Sequence, residues 1–199
     1  MKKTSCILLM FCIIIGSFGG CQKAQLKNYI ATKTLSENQK QIVDLLSTNE
    51  QKYLLFDVKT EEAYKGINFW METYKNGKLV DSPPVSITMT NDDGRALDGE
   101  FAAVINQTPD FQWTFIYSDK VGGKSTSTSE RNTNYCSGIN GSCTINQPVE
   151  IEDGKEIIIY AAAFNQGNSI EAFDIPKLVD GKYLTECDYV HLIKCKFTK

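Results

Sequence analysis

Phe111-Gln112-Trp113-Thr114-Phe115-Ile116-Tyr117-Ser118 places an aromatic ring on every second residue. Successive side chains of an extended chain point to opposite faces, so the four rings share one face and Gln112, Thr114 and Ser118 lie on the other. That is the pattern of a half-buried strand. Its aromatic face reads as core, with each ring able to cover about 150 to 250 Å²; the competing reading is an exposed platform that stacks on sugar rings or grips a peptide.

The same period spreads outward from this strand. β-Branched and aromatic residues recur in short runs divided by Gly, Asn, Asp and Pro, predicting strands over 53–59, 67–75, 78–81, 85–90, 101–106, 111–118, 156–164 and 188–197. Asn76-Gly77 joins two of them by a turn whose central residues both need positive φ, the type I′ hairpin signal. Ile157–Phe164 and Tyr189–Ile193 are apolar on both faces and belong in the middle of a sheet. About eight strands with antiparallel turn signals predict a mostly β protein, an antiparallel β-sandwich, with a partly closed barrel as the alternative. One short amphipathic helix precedes them at about 36–47, where Ser36 can cap and Gln39 stands three residues on. Residues 121–147, rich in Gly, Ser, Thr and Asn, read as a long loop or irregular hairpin, functional or disordered.

The N-terminus carries an address. Lys2 and Lys3, the apolar run Ile7–Ile15 and a small-residue end form the three parts of an export signal. The run falls short of the roughly 20 apolar residues that a spanning helix needs. Phe18-Gly19-Gly20-Cys21 then puts two small residues directly before a cysteine, which resembles the lipobox of bacterial lipoproteins. That resemblance implies a diacylglycerol on the Cys21 thiol, cleavage just before it, and a protein held at the extracytoplasmic face of the cell membrane. The expected organisation is a signal over 1–20, lipidated Cys21 and linker over 21–35, and a single sandwich domain over 36–199. Losing the signal moves the formal charge from −3 to about −5, so no basic field exists for nucleic acid, and attachment to a membrane falls to the lipid. The stretches LSENQKQIVDLL, LLFDVKTEE, NFWMETYKNGKLV and CDYVHLIKCKF, taken together, resemble uncharacterised lipoproteins of Gram-positive bacteria. The resemblance brings no catalytic residues with it.

Four cysteines lie beyond Cys21: Cys136, Cys143, Cys187 and Cys195. Asn140-Gly141 can reverse the chain between Cys136 and Cys143, which favours a local disulfide in an oxidising compartment; reduced thiols are the alternative. Cys187 and Cys195 would stand roughly 26 Å apart on one strand, far beyond the 4.4 to 6.8 Å that a disulfide spans. Cys187-x3-His191-x3-Cys195 invites a zinc reading, but on a strand the three spread too far for one ion. His191, alone among Tyr189, Ile193 and Phe197, reads as a satisfied core histidine. Asn91–Glu100 packs carboxylates into a turn, yet Arg95 stands where a calcium ligand should, and a solvated hairpin loop is the expectation. No nucleophile elbow, HExxH or phosphate-binding glycine loop occurs, and no cofactor is implied. The sequence therefore predicts a non-enzymatic, lipid-anchored binding or envelope-associated module, with a cell-envelope protein or polysaccharide as partner. An envelope enzyme on sugar or peptide substrates is the alternative.

Overall fold

The computed structural model describes residues 26–47, 51–80, 85–106, 111–121, 123–129, 141–165, 174–176 and 182–199. Its strands, in chain order, are β1 (Tyr29–Thr32), β2 (Gln51–Ala63), β3 (Gly66–Lys75), β4 (Lys78–Val80), β5 (Ser86–Thr90) and β6 (Ala96–Asn106), then β7 (Gln112–Asp119), β8 (Gly123–Thr128), β9 (Gly141–Thr144), β10 (Val149–Glu150), β11 (Glu156–Phe164) and β12 (Tyr189–Thr198). They form two antiparallel sheets packed as a β-sandwich. The first runs β10-β1-β2-β6-β7-β8; the second runs β4-β3-β12-β11-β9, with β5 pairing beside β4 on the outer side of β3. Helix α1 (Glu37–Leu46) links β1 to β2, and α2 (Lys182–Glu186) precedes β12.

Aromatic residues close the sandwich because their alternation turns one face of each strand inward. Phe111, Trp113, Phe115 and Tyr117 are all buried, so the row that decides the fold is core rather than platform. Phe69 of β3 stacks on Phe101 of β6 across the two sheets, ring centroids 4.1 Å apart and 3° from parallel. Phe115 meets Phe101 edge-on at 5.1 Å, and Phe197 meets Phe69 edge-on at 5.9 Å. Such geometries add to area burial because ring edges and faces carry opposite partial charge.

β11 and β12 occupy the interior of the second sheet, as their two-sided apolarity requires. A bulge between Ile158 and Tyr160 shifts the register on β12, and both Ile159 and Tyr160 then join the inner core. Asn76 and Gly77 take φ of 49° and 75°, the expected hairpin turn, and a Cβ on Gly77 would stand 2.7 Å from Thr185 Cγ2 of α2.

Three expectations change. Residues 29–32, placed in the linker, form β1 between β2 and β10, because Ile30 is completely buried and one such anchor suffices in a four-residue strand. Inside the expected 121–147 loop, 123–128 pairs with β7 and 141–144 with β11; these polar runs are edge strands, where one ladder and Thr side chains replace hydrophobic alternation. The capped helix forms, with Ser36 and Gln39 closing a reciprocal capping box. Its apolar side nevertheless faces solvent, leaving Ile42, Leu45 and Leu46 at 57%, 84% and 54% exposure.

Trp113→Ala removes the largest ring of the buried row and should cost about 3 to 5 kcal/mol, a large share of a typical domain's roughly 5 to 15 kcal/mol. A melting curve of the variant should shift down by many degrees; an unshifted one would place Trp113 outside the core.

Candidate functional site

Above β11, the outer face of the second sheet is not simply a solvated surface. Ala161, Ala163, Val190, Leu192 and Cys187 form a second apolar cluster there, with Leu184 of α2 packed against it. Toward the other end of the same face the character turns ionic. Lys194 lies 2.8 Å from Glu72 and 3.4 Å from Glu156, its side chain only 14% exposed. Glu72 also accepts hydrogen bonds from Trp70 Nε1 at 3.1 Å and from the Tyr74 hydroxyl at 2.8 Å. Burial alone would raise the Glu72 carboxyl, but the hydrogen bonds from Lys194, Trp70 and Tyr74 outweigh it and hold the group below its ordinary range. Burial, then the bond to Glu72, pushes the Tyr74 phenol up to about 12.

Beside this ladder opens a groove of about 700 Å³, within the size range of ligand sites. Ile157, Ile158, Ile145, Val149 and Ile175 supply its apolar lining, while Glu150, Glu152, Lys155, Glu156, Asp174 and Lys194 supply charge. The chain builds it where it crosses between sheets. Ile145 N–H donates to Ile159 at 3.2 Å while its carbonyl accepts from Thr32 Oγ1 at 2.7 Å, tying the crossing segment to both sheets. Among the described residues β9 ends the second sheet and β10 ends the first, so two terminal strands flank the groove. The sequence offers no motif for this site, because its residues come from three separate stretches, 144–158, 174–176 and Lys194.

A second polar cluster joins the sheets near β9. Lys52 Nζ donates to Ser142 Oγ at 2.7 Å and sits 5.5 Å from the Tyr160 ring centroid. Burial lowers the Lys52 pKa, partly offset by Cys143. Burial, then Asp174, pushes the Cys143 thiol up to about 11 against the pull of Lys52. Cys143 is a free thiol here; Cys136, the other half of the expected disulfide, lies outside the described residues, as does Cys21.

The structure divides the cysteines of the Cys187-x3-His191-x3-Cys195 series between the two apolar clusters. Cys187 precedes β12 and packs in the outer cluster, whereas Cys195 lies in the inner core. His191 is completely buried, its ring 5.7 Å from Trp113 and 5.4 Å from Phe164, with Nδ1 2.9 Å from Thr73 Oγ1. It is a core histidine. In the acidic loop, Asn91 turns its amide inward onto the carbonyls of Tyr64 and Arg95, and Arg95 reaches Asp93 at 2.9 Å. The loop thus carries its own cation. Among the described residues no three His, Cys, Asp or Glu side chains come together as a metal site.

The YgaN domain family model matches residues 29–197, from the first residue of β1 into β12. The chain belongs to that family. Searches among curated proteins and among solved structures found no match. The YgaN domain match opens at Tyr29, so β1 lies within it although composition alone suggested linker.

Burial lowers the His191 pKa to about 3, against 6.5 for a free ring. The folded protein keeps the ring neutral while the unfolded chain protonates it, so stability falls as pH drops through 6.5 toward 3, by up to about 1.4 kcal/mol per pH unit. Denaturant melts at about pH 7 and about pH 5 should show the protein losing roughly 2 kcal/mol more than His191→Asn over that interval. Equal losses would show that His191 does not carry this pH dependence.

Proposed function

We propose that this chain is a lipid-anchored, extracytoplasmic binding module of the cell envelope. The observation that carries the reading is Phe18-Gly19-Gly20-Cys21 at the end of a lysine-led apolar run. A thiol acylated at Cys21 needs no membrane-spanning segment, and among the described residues no helix is long and apolar enough to cross a membrane. β1 begins at Tyr29, so seven residues, 22–28, separate it from the lipid-bearing position. At about 3.3 to 3.6 Å per residue such a tether reaches less than about 30 Å, which keeps the sandwich beside the bilayer and suits it to an envelope protein or polysaccharide. A groove with an apolar lining and charged walls supports binding as the role.

Cys21→Ala should abolish incorporation of labelled diacylglycerol and release the protein from the membrane fraction. Unchanged labelling would overturn the anchor.

The second reading, an envelope enzyme on sugar or peptide substrates, is favoured by one observation: the 2.7 Å approach of Lys52 Nζ to Ser142 Oγ, with burial lowering the lysine. A lysine held next to a serine hydroxyl is a known arrangement for activating it. Ser142 is exposed on a terminal strand, however, where the same pair also serves as a tie between sheets. A fluorophosphonate probe that labels the protein but not Ser142→Ala would favour the enzyme; no labelling of either leaves the binding role in place.

A further inference from the structure

We propose that the groove between β9, β10 and β11 takes an extended peptide segment in which an aliphatic residue stands next to a lysine or arginine. The inference rests on the reading of the chain as a binding module and names the chemistry of its ligand.

Charge sets the sign. Four carboxylates of the lining (Glu150, Glu152, Glu156 and Asp174) face two ammonium groups, Lys155 and Lys194. Both lysines are already engaged, Lys155 by Glu152 and Lys194 by Glu72 and Glu156. Even with Asp174 set aside, Glu150, Glu152 and Glu156, together with the Glu72 that Lys194 also meets, outnumber the two lysines, so the lining keeps a surplus of negative charge. A cationic partner gains from that field, and an anionic one is repelled.

Floor and edges set the rest. Ile157, Ile158, Val149 and Ile175 give the groove an apolar surface that a fully hydrated cation would leave unused. An aliphatic side chain laid there, with the basic group beside it at the acidic wall, uses both parts of the lining. β9 and β10 each close a sheet, and each pairs on one side only among the described residues. Terminal strands expose backbone donors and acceptors to which an extended chain can add; adjacent residues of that chain then turn to opposite sides, the aliphatic ones to the floor and the basic ones to the exposed carboxylates of Glu150 and Glu152. Spacing of basic and aliphatic groups along a peptide fits this arrangement better than a compact amine, which has no backbone to pair.

The test uses the full chain and two fluorescein-labelled hexapeptides, one alternating leucine with lysine, the other leucine with glutamate, followed by fluorescence anisotropy. The lysine peptide should bind, more weakly as salt rises, and the glutamate peptide should not. Glu150→Lys, an exposed substitution on the rim, should weaken binding roughly tenfold while leaving the melting curve in place. Ile158→Asp should weaken it through the floor. Free lysine amide in large excess should compete poorly. Equal binding of both peptides, unchanged affinity in Glu150→Lys, full competition by lysine amide, or no binding at all would each overturn the proposal. Membrane fractionation of Cys21→Ala reads the anchor separately, so loss of peptide binding and loss of the membrane role show as different results.

Discussion

The sandwich hinges on one contact: the Phe69 ring lying flat on Phe101 across the gap between the sheets. Each of these rings touches further aromatics of its own neighbourhood. Phe101 meets Phe56 and Phe115, and Phe69 meets Tyr117 and Phe197, so the stack joins four other rings from both sheets. Slipping any one of the strands that carry these rings by one residue against its neighbour would turn its aromatic set outward, since side chains alternate with period two. Register in β2, β3, β6, β7 and β12 is thereby fixed by a shared constraint rather than strand by strand. Gly99 belongs to the same logic, because a Cβ there would stand 2.5 Å from the Tyr117 hydroxyl oxygen. Its absence lets the tyrosine lie over β6.

With the inside so determined, variety is left to the outer face of the second sheet. The bulge in β11 matters here. It allows Ile159 and Tyr160, adjacent in sequence, both to face the core, and so changes which residues on either side of it face out. Ile158 lines the groove and also packs against the cluster of Ala161 and Ala163 under α2. The outer residues on both sides of the bulge thus join the groove to the cluster, and bulges of this kind are common next to functional sites.

What the chain discloses before folding follows from how strongly each residue is tied to its neighbours in sequence. The row Phe111–Tyr117, the Asn76-Gly77 turn, the Ser36–Gln39 cap and the apolar runs of β11 and β12 are local patterns, and each forms the element it signals. β8 and β9 lack such a pattern because Ser, Thr and Gly take strand conformation there only by hydrogen bonding to β7 and β11. β1 fails for the same reason: Ile30 is buried by strands that start more than twenty residues later. The groove is less legible still. Val149, Ile158, Asp174 and Lys194 meet through the crossing between sheets, and nothing in their spacing anticipates it.

The position of β1 has a mechanical side. It lies inside the first sheet, bonded to β2 on one edge and to β10 on the other, and Asn28 and Thr32 add bonds to Ile151 and Ile145. A pull applied on the N-terminal side of Tyr29 runs along the strand, so the bonds on both edges are loaded together in shear instead of opening one after another. Drag on the domain would meet its greatest resistance at the point where the chain enters the fold, and the rate of forced unfolding would be set there.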